Sequence, residues 1–159
     1  MKRDKVIEAV RYARGILETV GLSDWSVWSN NSYSVIGKAE FDGKRMVFSK
    51  RYIMKATREE FRKVVLHEAA HVIAGYDAGH GEEFVKVCRH ISPDEPYDSN
   101  CITASIHKYD ITCPRCGDVG QTNKNTPLYC EPCAVSGRGV FEYARTNNDP
   151  EFTEWASTP

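Results

Sequence analysis

The sequence predicts an α+β protein: a domain of helices and a short antiparallel sheet, then a small cysteine-rich module. Three observations predict it. Apolar positions recur at helical spacing in two separate segments, a turn signal joins two short strand-like runs, and Gly, Pro, Asn and Cys concentrate after residue 107. These place the first domain at 1–107, the module at 108–145 and a polar, acidic tail at 146–159.

Residues 4–20 carry Val6, Val10, Ala13, Leu17 and Val20 with Ile7 and Ile16 beside them, a helical spacing that Gly21 closes. "WSVWS" at 25–29 alternates briefly, as a strand does. "SYSVIGKAEF" and "RMVFS" flank Asp42-Gly43-Lys44, a hairpin signal. Thr57 with Glu60 reads as a capping box, and Phe61, Val64, Val65, Ala69, Val72 and Ile73 carry the following helix to Gly75. A third helix is expected from about Gly81 to Ile91, before Pro93 and Pro96.

The chain has 159 residues, 41% of them hydrophobic, enough for one modest core and a small appendage. It contains no apolar run of the eighteen or so residues a membrane span needs, and "MKRDKVIEAVRYARG" lacks the apolar core of a signal peptide. The expected location is cytoplasmic. In that reducing setting six cysteines favour metal over disulfides. Net charge is −1, yet residues 1–66 hold 14 Lys+Arg against 8 Asp+Glu while residues 67–107 hold 2 against 7. The cations Lys44, Arg45, Lys50, Arg51, Lys55 and Arg58 fall in one stretch, which would serve a phosphate-binding face or merely solvate a surface.

Three of the five histidines lie within fourteen positions, in "HEAAHVIAGYDAGH". His67 and His71, four apart on a helix, share a face about 6 Å apart along the axis. Two imidazoles so placed converge on one zinc ion, and Glu68, about 100° round the helix, reaches a bound water without being a ligand. Gly75 lets the chain turn back, and His80, flanked by glycines, is the favoured third ligand. Glu82, Glu83 and Glu95 are its rivals. Ala74 and Asp77 stand where the metzincin spacing needs Gly and His, which excludes that class. Three protein ligands leave a position for water, as catalytic zinc requires. Tyr76 and Tyr97 could donate to an oxyanion, although packing explains each as well, and His90 and His107 read as surface or satisfied core residues.

Cys113 and Cys116 in "CPRCG" are matched by Cys130 and Cys133 in "CEPC". Two such knuckles predict a four-thiolate zinc site that is structural, because no coordination position stays open. A forty-residue module has little core, and the metal would supply the missing stability. Cys88 and Cys101 are expected to be buried thiols.

With these motifs in hand, "IGKAEFDGKRMVFSKRYI" leading into "EEFRKVVLHEAAHVIAGYDAGHGEEF" resembles the SprT-like (Spartan-type) family of zinc metalloproteases. The resemblance spans about residues 1–145 in layout, with its specific core at 34–84. It implies a zincin-like domain followed by a zinc ribbon. It also implies catalytic zinc on His67, His71 and His80, Glu68 as catalytic acid–base, and structural zinc on Cys113, Cys116, Cys130 and Cys133. Better-studied members cleave proteins bound or crosslinked to DNA, so the resemblance implies an endopeptidase with a protein substrate and, through the basic stretch, a DNA partner. A small stand-alone form of this kind would suit a bacterial or phage protein. The alternative is a DNA-binding zinc-ribbon adaptor with an idle protease-like site, in which Tyr109, Tyr129, Phe141 and Tyr143 could stack on unpaired bases.

Overall fold

The computed structural model describes residues 2–94 and 107–147, which form two compact units. Glu95, Tyr97, Cys101 and the tail from residue 148 lie outside the described residues, so the expectations for them have no structural counterpart.

In the first unit, helix α1 (Lys2–Thr19) buries Ala9, Ala13 and Leu17 completely, with Lys5 on the same stripe at 4% exposure. The buried stripe is thus one position off the Val6–Val10 line that hydrophobicity favours, and Ile7 is exposed. Alanines on the inner face let the helix backbone approach its neighbours closely, which bulkier side chains would prevent. The helix ends in a Schellman-type turn: Gly21 has φ 81°, and the Leu22 N–H donates to Leu17 C=O at 2.8 Å.

Strands β1 (Ser26–Asn30), β2 (Gly37–Glu40) and β3 (Arg45–Ser49) form a sheet in the order β1-β3-β2. β2 and β3 are the expected antiparallel hairpin, but β1 pairs parallel with β3, so the sheet is mixed rather than wholly antiparallel. The physical reason is the connection. After β1 the chain runs to the far edge, lays down β2 there, and returns β3 into the middle. In the hairpin turn Lys44 N–H donates to Phe41 C=O at 3.1 Å, and the positive φ (44°) falls on Lys44 rather than on Gly43. A Cβ on Gly43 would stand 2.9 Å from Arg45 Nε, a flexible side chain that can move aside.

A short helix α2 (Lys50–Lys55), which periodicity did not reveal, follows directly. Ser49 caps it, and Tyr52, Ile53 and Met54 are buried. Helix α3 (Arg58–Ala74) opens with the expected capping box, Thr57 hydroxyl and Glu60 carboxylate each bonding the other's backbone N–H. Phe61, Val64 and Val65 are fully buried, and Phe61 meets Phe48 of β3 edge-on at 5.1 Å. β2 crosses directly over α3: a Cβ on Gly37 would come within 3.1 Å of Val64. A 3₁₀ turn (Tyr76–Ala78) leads to helix α4 (Glu82–Ile91). No helix among the described residues is long and apolar enough to cross a membrane.

The second unit is a three-stranded antiparallel sheet, β4 (Tyr109–Thr112), β5 (Val119–Thr122) and β6 (Ala144–Asn147), in the order β5-β4-β6. Helix α5 (Glu131–Val135) precedes β6. Its core is small: Cys113, Cys130 and Cys133, with Phe141 and Tyr143 packed against them.

Candidate metal centres

Helix α3 sets His67 and His71 on one face, and the turn after it returns His80 to the same point. That turn rests on glycines. Gly75 (φ 96°) ends the helix, and Gly79 (φ 51°, ψ −133°) adopts a conformation that a side chain would strain. As a result the three Nε2 atoms form a triangle with sides of 3.2, 3.0 and 3.2 Å. In a tetrahedral centre with metal–nitrogen bonds of about 2.0–2.1 Å, ligand nitrogens lie about 3.3 Å apart. The triangle fits that requirement, and three ring nitrogens aimed at one point are an electron-rich arrangement that a cation stabilises. The cluster is closed on one side and open on the other: His67 is buried, His71 half-buried and His80 exposed.

Burial pushes the His67 imidazolium down to about pH 4, and the charges of His71 and His80 push the same way. His71 is lowered by burial and then by His80. Both shifts favour the neutral imidazole, the form that presents a lone pair to a metal. Glu68, 8% exposed, is pushed up to about 7 by burial, with the backbone of Ala39 in β2 pulling the other way. A carboxyl group with that value exchanges protons near neutrality.

Beneath the triangle sits Phe84, fully buried in α4, its ring centroid 5.1, 4.4 and 5.0 Å from those of His67, His71 and His80. It is the residue that sequence reasoning missed. A phenylalanine on the inner face of α4 reads as ordinary core, and only the fold puts all three imidazoles on its ring. The rival ligands Glu82 and Glu83 are not brought to the cluster: their exposed carboxylates pair with Lys86. Tyr76 is 81% exposed and meets Phe41 edge-on, and Phe41 in turn meets Trp25.

The second cluster has Sγ–Sγ separations of 3.8 Å (Cys113–Cys133) and 3.6 Å (Cys116–Cys130). A tetrahedral thiolate centre with bonds of about 2.3 Å spaces its sulfurs by about 3.8 Å, whereas a disulfide brings them to about 2.05 Å. The arrangement fits a metal, and the four cysteines are free of disulfides. Cys113 closes β4, Gly117 (φ 75°) turns the first knuckle back, and Cys130 and Cys133 flank the start of α5. Among the remaining sulfurs and histidines, Cys88 is half-buried rather than buried. His90 is exposed, and His107 is buried with Nε2 2.7 Å from Asp110.

The basic stretch is largely met within the fold. Lys44 pairs with Asp24, Arg45 lies 3.0 Å from Glu40, Arg51 stands 3.5 Å over the Tyr33 ring and Arg58 4.4 Å over that of Tyr12. In the cysteine module Tyr129 is exposed, the Tyr109 hydroxyl bonds Asn125, and Phe141 and Tyr143 pack on the sulfurs.

Compared with known proteins, residues 12–105 match the model of the SprT-like family, and neither a curated protein nor a solved structure matches the chain.

Proposed function

Because this chain belongs to the SprT-like family, we propose that it is a zinc-dependent endopeptidase in which His67, His71 and His80 hold the catalytic ion and Glu68 is the acid–base. The observation that carries the reading is the convergence of three Nε2 atoms within 3.0–3.2 Å, on a helix whose next residue after His67 is a buried glutamate. Zinc bound there supplies a Lewis acid and lowers the pKa of a coordinated water to about 7. The chain's own groups do the rest. The three imidazoles, seated on Phe84, would hold their lone pairs in one direction. The Glu68 carboxylate, buried beside the cluster, would accept a proton from the attacking water and return it to the departing amine. The exposed His80 side is the entry for a peptide. In the second unit, four thiolates would complete a closed shell around a structural zinc.

The finer part of the proposal is the substrate: a protein associated with or crosslinked to DNA. It is supported by the family and by the density of cations between Lys44 and Arg58, although most of these meet partners within the fold. The test is cleavage of a DNA-bound protein with and without DNA. Fragments made by the wild type and not by Glu68→Gln, with zinc content unchanged, are the expected result. Equal cleavage by the Gln variant would remove Glu68 from its role. DNA affinity that does not fall between low and high salt would rule out phosphate contact.

A further inference from the structure

The turn between His71 and His80 carries an aromatic ring that the histidine cluster does not use. Tyr76 opens the 3₁₀ turn Tyr76–Ala78, which is pinned by bonds from Ala78 N–H to Gly75 C=O at 3.1 Å and from Gly81 N–H to Ala78 C=O at 3.0 Å. Its side chain is 81% exposed, yet it is braced from behind. An edge contact, with centroids 5.5 Å apart at 89°, joins it to Phe41 at the start of the hairpin turn. A second, 5.5 Å at 88°, joins Phe41 to Trp25. Trp25 is buried, so the three rings form a chain that begins in the core and ends in solvent. Singly exposed apolar residues are common on any surface. This one differs in being held in place, so little ordering cost remains when another group lies on its solvent side.

Position and charge decide what that group is. Tyr76 is four residues before His80, the exposed member of the triangle, and four extended residues span at most about 13–14 Å. A peptide bound at the open side of the cluster therefore has the ring within reach of about four of its own residues. The surroundings are acidic: Asp77 follows Tyr76, and residues 67–107 hold 2 Lys+Arg against 7 Asp+Glu. Such a surface repels the phosphates of a nucleic acid. The exposed Glu82 and Glu83 already pair with Lys86, which leaves the apolar ring as the contact on offer. We propose that Tyr76 is a specificity-determining residue, whose ring receives a large apolar side chain, aromatic above all, of a peptide substrate within about four residues of the bond cut. The proposal rests on the peptidase reading above and names the substrate feature that this site selects.

Two measurements on the zinc-loaded protein test it, both with Gly/Ser peptides in which one Phe is moved stepwise along the chain and a control that has none. In the wild type, kcat/KM should rise about tenfold over the control when Phe falls at one position near the cut. In Tyr76→Ala that ratio should collapse to within about twofold of unity with zinc content unchanged, and Tyr76→Phe should keep it, because the ring and not the hydroxyl makes the contact. A ratio that survives in Tyr76→Ala, or cleavage by the wild type with no preferred position, would overturn the proposal. Binding to Glu68→Gln reads the ring apart from turnover. The best Phe peptide should bind about tenfold tighter than the control, and adding Tyr76→Ala should erase that advantage. Equal binding of the two peptides overturns the subsite. A preference in binding without cleavage by the wild type sinks the peptidase reading and leaves the peptide contact in place. An oligothymidylate that shifts the Tyr76 ring resonances, where the Phe peptide does not, would assign the ring to nucleic acid and overturn the proposal.

Discussion

At the scale of single residues, the three-histidine cluster rests on a side chain that carries no donor atom. Phe84 touches all three imidazoles, so its loss removes the seat that keeps them aimed together. Phe84→Ala should destabilise the first unit by about 3–5 kcal/mol and weaken metal binding, while Phe84→Leu should retain most of both. Urea unfolding and a competing chelator measure the two effects, and an alanine variant with undiminished metal affinity would remove the ring from the account. His67 and His71 were legible in the sequence because helical spacing sets them on one face, Glu68 because it follows His67 on that helix, and His80 because glycines flank it where the chain turns back. Phe84 was not, because its place depends on how α4 returns after the turn.

At the scale of elements, capping box, hairpin and third helix were readable because each has a local cause: Thr57 with Glu60, the turn at 41–44, and Gly81 before and Pro93 after the helix. The parallel β1–β3 pair and α2 were not, since one is set by the path of a connection and the other is six residues long. α2 has its own anchor. Lys5 of α1, 4% exposed, donates to the carbonyls of Met54 and Ala56 at 3.1 and 3.0 Å, at the end where a helix favours a cation. Lys5→Ala should cost about 1–3 kcal/mol by leaving these acceptors without that donor. Burial pushes Lys5 down to about 8 from the ordinary lysine value of 10.5, opposed by Glu8 and Glu60. Between those values the unfolded chain holds a proton that the folded one has released, so wild-type stability should rise with pH from about 8 to 10 relative to Lys5→Ala. Denaturant unfolding of both proteins across that window checks the sign, and a relative fall would contradict it. The turn after α3 makes a second demand. Gly79→Ala, at φ 51°, should strain the return of His80 and lower metal affinity without displacing His67 and His71.

At the scale of the whole molecule, two units hold two donor sets of different chemistry: three imidazoles in one and four cysteine sulfurs in the other. The cysteine unit has a core of three cysteines and two aromatics, too small to hold three strands by apolar burial. Its fold should therefore depend on the metal, and Cys133→Ser should strip amide protection from β4 and β5. The most direct test of the central claim is metal content per chain, measured on the purified wild type, His80→Ala and Cys133→Ser. The account predicts two ions in the wild type and one in each variant, with the ion of Cys133→Ser bound by imidazoles and that of His80→Ala by thiolates. A wild type carrying a single ion that survives His80→Ala unchanged would contradict it.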